Sequence, residues 1–262
     1  MIVSPEDSPP PAGGQAWFGF RSVAAEDKTG LVRGVFDSVA ERYDLMNDLM
    51  SGGLHRLWKA SLVADLRPRP GAVLLDVAGG TGDIARRYLD RAEAKGVAGV
   101  RAVLLDINQR MLAVGRNRSL DRGRADALSY VVGDAETLPV ASASVDAYTI
   151  AFGLRNVTRI DAALAEARRV LKPGGRFYCL EFSRIIVPGL DRLYQSYSFR
   201  LVPLIGAVVA RDRAAYQYLV ESIRRFPPQA ALAERIQAAG LERVRFRNLS
   251  GGIAAIHSAW RL

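Results

Sequence analysis

The feature that most constrains the fold is an alternation of apolar runs and amphipathic segments that begins at Gly71. The apolar runs have the length and the β-branched or aromatic content of buried strands: AVLLDVAGG, RAVLLDI, LSYVVGD, VDAYTIAFG and RFYCLEFS. Between several of them lie segments with the periodicity of amphipathic helices: GDIARRYLDRAEA, NQRMLAVGRNRSL and Arg159–Leu171. This alternation predicts an α/β fold in which a doubly wound parallel sheet is covered by helices on both faces.

The end of the chain departs from that alternation. The runs LERVRFRN and IAAIHSAW follow a helix expected at about 228–239, and only the turn SGG separates them. So short a connection joins antiparallel strands. The pattern therefore predicts a mostly parallel, seven-stranded sheet with a C-terminal antiparallel hairpin, which is the Rossmann-like arrangement of class I methyltransferases that use S-adenosylmethionine.

Two further segments are predicted to be helical. Residues 29–66 form a helical preface without strands, because apolar residues recur at helical spacing from Val32 to Val39 and on to Tyr43. Residues 185–226 form an aromatic, mostly helical cap insertion. The proline-rich residues 1–16 carry no basic residue and predict a disordered tail, which leaves a single methyltransferase domain over residues 17–262.

Cysteine and histidine are too scarce for several kinds of site. The one cysteine, Cys179, cannot form an internal disulfide, and this favours a reducing, cytoplasmic compartment. One Cys and two His also argue against a zinc site, and no metal is expected. Cys179 lies in a strand-like run, so we expect it to behave as a small buried apolar residue.

The formal net charge of +9 raises the question of an anionic partner. The arginines are scattered and no stripe of stacking aromatic residues accompanies them, so nucleic-acid binding is not expected. A generally basic surface suits anionic lipid heads better. The longest uncharged apolar run, Leu201–Ala210, is too short to span a bilayer, and we expect at most peripheral contact with the inner face of a membrane.

A glycine loop, Gly79-Gly80-Thr81-Gly82, lies between the first strand of the sheet and the next helix. It fits a structural turn, a dinucleotide site or an S-adenosylmethionine site, since GTGDIA formally satisfies G-x-G-x-x-A. A dinucleotide places its pyrophosphate on the helix N-terminus, where Asp83 would face it with like charge. S-adenosylmethionine has no phosphate and carries an ammonium group and a cationic sulfur. Acids therefore suit it, and Asp76 is a candidate to hold the ammonium group, directly or through the loop or a water molecule.

Two more acids end the following strands. Asp106 ends the second strand, where a carboxylate can accept hydrogen bonds from both ribose hydroxyls of a nucleoside. Asp134 ends the third strand and could accept from an adenine amino group. Taken singly, each is more often a helix cap or a turn residue. Together with Asp76 they place three acids at the carboxyl ends of successive strands, the edge where doubly wound sheets bind ligands.

The sequence resembles the ubiquinone/menaquinone biosynthesis C-methyltransferases. The matching runs are VFDSVAERYDLMNDLMSGGLHRLWK, LLDVAGGTGD, AFGLRNV, RVLKPGGRFYCLEFS and ESIRRFPPQ, spread from about Gly34 to the C-terminus. The resemblance implies methylation of a ring carbon on a polyprenylated quinol, a 2-polyprenyl-6-methoxy-1,4-benzoquinol and also demethylmenaquinol. It implies that the cofactor S-adenosyl-L-methionine is held at Thr81, Asp106, Asp134 and Ala135. Many members carry Ser where this chain has Ala151, which leaves a backbone contact with the cofactor there.

The fourth strand ends beside the place expected for the cofactor's sulfur, so its tail would form the wall between cofactor and substrate. Methylating a ring carbon requires a quinol hydroxyl to lose its proton, and Arg155 could stabilise the resulting oxyanion while Asn156 orients the quinol oxygen. The alternative for Arg155 is a salt bridge with an acid such as Asp161. The proton would pass to water or to a nearby group, for which His55 and, less favoured, Tyr43 or Asp44 are candidates. His55 fits equally well as a packing residue beside Trp58.

Other interpretations remain open at this stage. The acceptor could be another phenolic or sterol-like compound, and the chain could be a non-catalytic scaffold in a complex of quinone-biosynthesis enzymes. A nicotinamide-dependent oxidoreductase is the rival from another class of enzyme, and Asp83 argues against it. The interpretation also leaves room for a homodimer.

Overall fold

The computed structural model describes residues 14–39, 47–48, 51–120, 127–189 and 213–262. Elements are numbered here in chain order over those residues. The strands are β1 Gln15–Phe18, β2 Arg21–Ala24, β3 Val73–Val77, β4 Arg101–Asp106, β5 Leu128–Val132, β6 Val145–Ala151, β7 Leu171–Phe182, β8 Glu242–Leu249 and β9 Ala254–Trp260. The helices are α1 Ala25–Val39, α2 His55–Leu66, α3 Asp83–Ala94, α4 Gln109–Leu120, α5 Ile160–Val170, α6 Arg213–Arg225 and α7 Gln229–Ala238.

Seven strands form one sheet in the order β5-β4-β3-β6-β7-β9-β8. Strands β3 to β7 pair in parallel, whereas β9 pairs antiparallel with both β7 and β8. The chain runs outward from β3 to β5 and then returns to β6 on the other side of β3. The predicted doubly wound sheet with its antiparallel hairpin is confirmed, and its topological switch point lies between β3 and β6.

The sheet has a separate apolar core on each face. Alternate residues of a strand point to opposite faces, so Leu74 packs in the core that contains Tyr88 of α3. Leu75 packs in the other core, which contains Leu164 of α5 and the buried Cys179. Both faces of each central strand are thus buried, which explains why the parallel strands read as continuous apolar runs.

An N-terminal hairpin precedes the helical preface, and the sequence did not predict it. Strands β1 and β2 pair antiparallel, and α1 follows directly at Ala25 rather than at residue 29. Gln15 and Ala16, which were assigned to the tail, belong to β1. The hairpin is held against α6, because the Phe18 and Tyr218 rings stack with centroids 4.2 Å apart.

Several predictions from the sequence lie outside the described residues. They concern residues 1–13, Tyr43, Asp44, Leu201–Ala210 and the greater part of the 185–226 insertion, of which α6 is the described helix. None of the helices in the described ranges combines the length and the apolar character that crossing a bilayer requires.

Candidate functional site

A cleft opens at the carboxyl edge of the sheet, beside the switch point between β3 and β6. Over the described residues its lining comes from α1, from the ends of β3 and β4, and from the segments that follow β5 and β6. Each parallel strand delivers its last residues to the same edge, so residues far apart in sequence meet there. Residues predicted to form a site at the strand ends should therefore lie close to one another in this cleft.

The glycine loop turns from β3 into α3 at the floor of the cleft. A Cβ at Gly79 would lie 2.1 Å from Leu104 Cδ1, so only glycine fits between the loop and β4. Gly80 has a φ of +57° and lines the cleft, while its N–H donates to Asp106 Oδ2 at 2.8 Å. Gly79, Thr81 and Gly82 are not part of the lining. The loop thus presents the backbone of Gly80 to a ligand.

Asp106 lies in the cleft at the end of β4, as the sequence predicted. Its Oδ1 accepts from the backbone N–H of Asn108 at 2.8 Å, and its Oδ2 accepts from Gly80. Burial raises the pKa of the Asp106 carboxyl, although these backbone donors oppose the rise. Each oxygen has a second lone pair, so the carboxylate can accept from a pair of hydroxyls while it holds the loop.

The segment after β5 brings further acids to the cleft. Asp134, Ala135 and Glu136 all line it, and the first two were predicted site residues. Glu136 was missed, although it lies two residues after Asp134 in the same turn. Its carboxylate accepts from the Thr158 N–H at 2.9 Å and from Arg159 Nε at 2.7 Å. Glu136 therefore ties the segment after β5 to the segment after β6.

The charge of the lining favours a cationic ligand. Three acids line the cleft, Asp106, Asp134 and Glu136, and Arg33 is the one lysine or arginine in the described lining. A pyrophosphate would meet like charge here, whereas an ammonium or sulfonium group would be attracted.

Asp83 does not supply this preference, and the expectation that it would was wrong. Its carboxylate pairs with Lys59 Nζ at 3.0 Å and with Arg87 Nε at 2.8 Å, outside the lining of the cleft. Burial opposes ionisation, but the charge of Lys59 and the hydrogen bond from Arg87 lower the pKa of Asp83 to about 2. The pair joins α2 to the start of α3.

Asp76 lies beneath the loop and Thr81 is a buried member of it, and neither residue lines the cleft. Asp76 is fully buried and accepts from Thr149 Oγ1 at 2.7 Å and from the Ala85 N–H at 3.3 Å. Burial raises its pKa to about 7. The structure therefore argues against a direct contact with the ammonium group, because Asp76 anchors β6 and the first turn of α3; a contact through the loop or water remains a prediction. Thr81 is 2 % exposed, and its hydroxyl is 3.5 Å from Arg118 Nη1.

The segment after β6 turns sharply along the side of the cleft. Phe152 has a φ of +57°, and a Cβ at Gly153 would lie 2.4 Å from the Ala78 Cβ. Phe152, Gly153 and Asn156 line the cleft, but Ala151 does not. Asn156 Oδ1 accepts from the Tyr218 hydroxyl at 3.0 Å. The amide nitrogen is consequently the end of the Asn156 side chain that can donate to a ligand.

Arg155 points away from the cleft. Its Nη1 pairs with Glu181 Oε2 at 3.0 Å and donates to the Phe152 carbonyl at 2.6 Å, and the side chains of this ion pair are 3 % and 1 % exposed. Burial raises the pKa of Glu181, and the Arg155 charge opposes that rise. The structure corrects the expected contact with a quinol oxygen. The alternative of a salt bridge is observed, with Glu181 as the partner of Arg155. Asp161, the acid suggested by the sequence, pairs with Arg235 at 2.7 Å instead.

His55 is also remote from the cleft lining. Its Nε2 lies 2.8 Å from Asp48 Oδ1, and burial lowers the pKa of its imidazole. The structure therefore favours the packing role over that of proton acceptor. Its neighbour Trp58 donates from Nε1 to Ser250 Oγ at 2.9 Å.

Helix α1 covers the cleft with residues that the sequence assigned only to the preface. Val32 and Phe36 line it from above. Two hydrogen bonds hold the helix in place: Asn108 Nδ2 donates to Asp37 Oδ1 at 2.9 Å, and Lys28 Nζ donates to the Val157 carbonyl at 3.0 Å. The helical spacing identified this apolar face, but no signal in the sequence placed it over the strand ends.

A family of known proteins matches nearly the whole chain. Residues 22–261 match the ubiE/COQ5 methyltransferase family. The chain is 59% identical over 245 residues to "Ubiquinone/menaquinone biosynthesis C-methyltransferase UbiE" of Paracoccus denitrificans, covering 94% of this chain and 96% of that protein. It is 60% identical over 250 residues to the protein of the same name in Methylobacterium nodulans, again covering 94% and 96%.

Solved structures show the same fold at low sequence identity. A SAM-dependent methyltransferase from Thermotoga maritima superposes with a TM-score of 0.60 at 18% identity, covering 87% of this chain and 99% of that one. A phosphoethanolamine N-methyltransferase from Haemonchus contortus, in complex with S-adenosyl-L-methionine, has a TM-score of 0.56 at 14% identity. It covers 78% of this chain and 52% of the other.

Proposed function

The chain belongs to the ubiE/COQ5 methyltransferase family, and from that premise we propose that it methylates a ring carbon of a polyprenylated quinol in the cleft described above. It is an S-adenosylmethionine-dependent C-methyltransferase of ubiquinone and menaquinone biosynthesis. The observation that carries the site assignment is the acid-lined cleft at the switch point of the sheet. The charge and the backbone geometry of that cleft fit a cationic nucleoside.

The cofactor would be held by residues at three strand ends. The backbone of Gly80 allows close approach, Asp106 would accept from the ribose hydroxyls, and Asp134 with Ala135 would bound the adenine. When bound, S-adenosylmethionine supplies an electrophilic methyl group on a positively charged sulfur. The acids of the lining stabilise that positive charge in the bound state, and their carboxylates disfavour a cofactor with a pyrophosphate.

The acceptor ring would lie between α1 and the segment after β6. Val32, Phe36, Met111 and Phe152 give this part of the cleft an apolar wall that excludes water from the ring. Asn156 supplies a polar group at its edge. Because Asn156 Oδ1 already accepts from Tyr218, its amide nitrogen would donate to a quinol oxygen and stabilise charge that develops there. The hydroxyl proton would pass to water, and the hydrogen that the methylated ring carbon loses would restore the hydroxyl as the ring becomes aromatic again.

Arg155 acts in this proposal as a positioning residue. Its guanidinium donates to the Phe152 carbonyl and pairs with Glu181, which fixes the turn that directs Phe152 and Asn156 into the cleft. Placement of the acceptor accounts for a large part of the rate in reactions of this kind.

We also propose peripheral contact with the inner face of a membrane, from which a polyprenylated substrate is drawn. The support is the formal charge of +9 and the apolar run Leu201–Ala210. A homodimer or a complex with other enzymes of quinone biosynthesis is compatible with this proposal.

The test is methyl transfer from methyl-labelled S-adenosylmethionine, under anaerobic conditions, to a reduced polyprenyl methoxybenzoquinol and to demethylmenaquinol. We expect label on at least one ring carbon. Asn156→Leu should lower kcat by about tenfold or more while cofactor affinity stays within about twofold, and Asn248→Leu is the control at a distance from the cleft. Stabilisation by the cofactor without label on either quinol would reject the quinol and move the search to other phenolic acceptors.

A further inference from the structure

We propose that a second cavity, behind the segment that follows β6, binds a phosphate group. It is bounded by the β1–β2 hairpin, α1, α6 and the segment after β6. Its polar lining includes Trp17, Lys28, Arg155, Thr158, Arg225 and Arg235. No aspartate or glutamate belongs to the lining that the structure describes. This inference goes beyond the methyl transfer proposed above and does not depend on it.

Lys28 provides a buried positive charge. It is 6 % exposed, and its Nζ donates to the Val157 carbonyl at 3.0 Å. Within the described residues no carboxylate oxygen lies within ion-pair distance of that nitrogen. Burial lowers the pKa of Lys28 to about 8, which shows that its environment disfavours the charged form. The charge of Glu136, which lines the cleft, opposes that fall in pKa only in part, and an anion in the second cavity would add a counter-charge on its own side.

Among the described lining residues, Trp17 and Arg155 each contribute a buried N–H group without a hydrogen-bond acceptor in the described part of the chain. The groups are Trp17 Nε1 and Arg155 Nε. A buried donor without an acceptor costs about 1–3 kcal/mol of folding free energy, so such groups are uncommon outside functional sites. The Trp17 ring is held in place by the Arg225 guanidinium, whose central carbon lies 3.5 Å from the ring centroid. Donors with a fixed orientation are what an oxyanion site requires.

Two ion pairs that the structure describes at the cavity leave their cations on the inside. Arg155 pairs with Glu181 and Arg235 pairs with Asp161, and neither acid lines the cavity. The lining therefore presents positive charge and N–H donors from several directions. A tetrahedral phosphate, with acceptor oxygens on all sides, matches that arrangement better than a planar carboxylate.

The second cavity is distinct from the cleft and opposite to it in charge. Val157 and Thr158 line both and form the wall between them. The cleft has acids on its side of that wall, whereas the second cavity has cations. The two spaces therefore select ligands of opposite sign.

The site-specific test uses the indole N–H signals of the three tryptophans in a ¹⁵N-labelled protein. Inorganic phosphate is titrated against sodium chloride of equal ionic strength. We expect the Trp17 signal, assigned with Trp17→Phe, to move with saturable dependence on phosphate. Trp58 donates to Ser250, and Trp260 lies beneath Arg176 at 4.3 Å, so their signals should stay fixed. A Trp17 signal that stays fixed, or three signals that move alike, would overturn the proposal.

Lys28→Met is the variant that removes the buried charge. We expect it to weaken phosphate affinity by about tenfold or more. Arg176→Met is the matched control, because it also removes one positive charge, here from the Arg176–Trp260 pair outside the cavity. We expect its phosphate affinity to change by less than about twofold. Equal affinities in the two variants would contradict a built site and indicate general attraction to a basic protein.

A phosphate can come from solution or from a lipid headgroup, and vesicles distinguish these sources. Binding to phosphatidylglycerol vesicles, but not to phosphatidylcholine vesicles, that is lost in Lys28→Met and competed by inorganic phosphate would assign the site to a lipid headgroup. Phosphate binding that depends on Lys28, with vesicle binding that does not, would assign it to a free phosphate. If neither the affinity for inorganic phosphate nor the binding to either kind of vesicle changes in Lys28→Met, the site is rejected.

Discussion

Asp76 is a carboxylic acid at a position where its charged form is disfavoured. It is fully buried, and the hydrogen bonds from Thr149 and Ala85 only partly offset the cost of desolvation, so its pKa rises to about 7. In the unfolded chain the same group ionises near pH 4. Between these values the folded state binds the extra proton, and stability therefore falls as pH rises through about 7.

Asp76→Asn should remove this pH dependence. The amide keeps an acceptor for the Ala85 N–H and cannot ionise, so the variant should exceed the parent in unfolding free energy by on the order of 2–4 kcal/mol at about pH 8. At about pH 4, near the pKa of the unfolded chain, the two should be close. Urea unfolding at the two pH values measures the difference, and equal slopes of stability against pH in the two proteins would show that Asp76 does not titrate there.

The strand-end residues show how far the sequence specifies a site. Strand periodicity placed Asp106 and Asp134 at one edge of the sheet, and both line the cleft. Strand periodicity does not determine whether a side chain in a loop points into the cleft or away from it. Asp83 turns to Lys59 and Arg155 turns to Glu181, because partners distant in sequence offered each charge a better environment than the cleft. Contact between the cofactor and the lining residues remains a prediction.

At the scale of elements, the buried pair of Arg155 and Glu181 joins the turn after β6 to strand β7. The sequence shows both residues at strand ends but does not show that the strands are neighbours with these side chains on the same face. Removing one partner of a buried ion pair leaves a charge without compensation, whereas removing both replaces the pair with apolar contacts.

Arg155→Met should therefore destabilise the protein by about 3–5 kcal/mol. The double variant Arg155→Met, Glu181→Leu should recover most of that loss, and urea unfolding of the parent, both single variants and the double variant measures the coupling. If Arg155 only positions the turn, methyl transfer should return in the double variant along with stability. An inactive but stable double variant would instead restore the predicted role of Arg155 at the quinol oxyanion.

The N-terminal hairpin shows what periodicity cannot detect. Strands β1 and β2 are four residues each, which is too short for a two-residue repeat to stand out. Their stability comes from contacts with α6, such as the stacked Phe18 and Tyr218 rings. The seven-stranded sheet was predictable for the opposite reason, because its strands are buried on both faces and its helices are long and amphipathic.

At the scale of the whole molecule, the cleft links four strand ends and α1, so a ligand in it contacts most of the fold. A ligand that binds only the native state stabilises it by about 2.7 kcal/mol when present at 100 times its Kd. The acids of the lining determine which nucleoside cofactor can have this effect. S-adenosylmethionine should therefore raise Tm, and NADH should not.

Thermal unfolding with each cofactor measures this, and Asp106→Asn provides the variant. The amide keeps one oxygen that can accept from the Gly80 N–H, but it loses the negative charge and the second acceptor oxygen. Cofactor affinity should therefore fall by about tenfold or more, and the rise in Tm should be smaller. Asp146→Asn, whose carboxylate pairs with Lys172 at 2.9 Å, is the control. Stabilisation by NADH alone would reject the site assignment in favour of an oxidoreductase.

Helix α1 covers the cleft and is fastened by one hydrogen bond from Asn108 to Asp37 and one from Lys28 to Val157. We expect a ligand bound beneath it to leave faster when either of these hydrogen bonds opens. These two hydrogen bonds should then influence how long spent cofactor stays bound, and hence how soon the enzyme can begin another cycle.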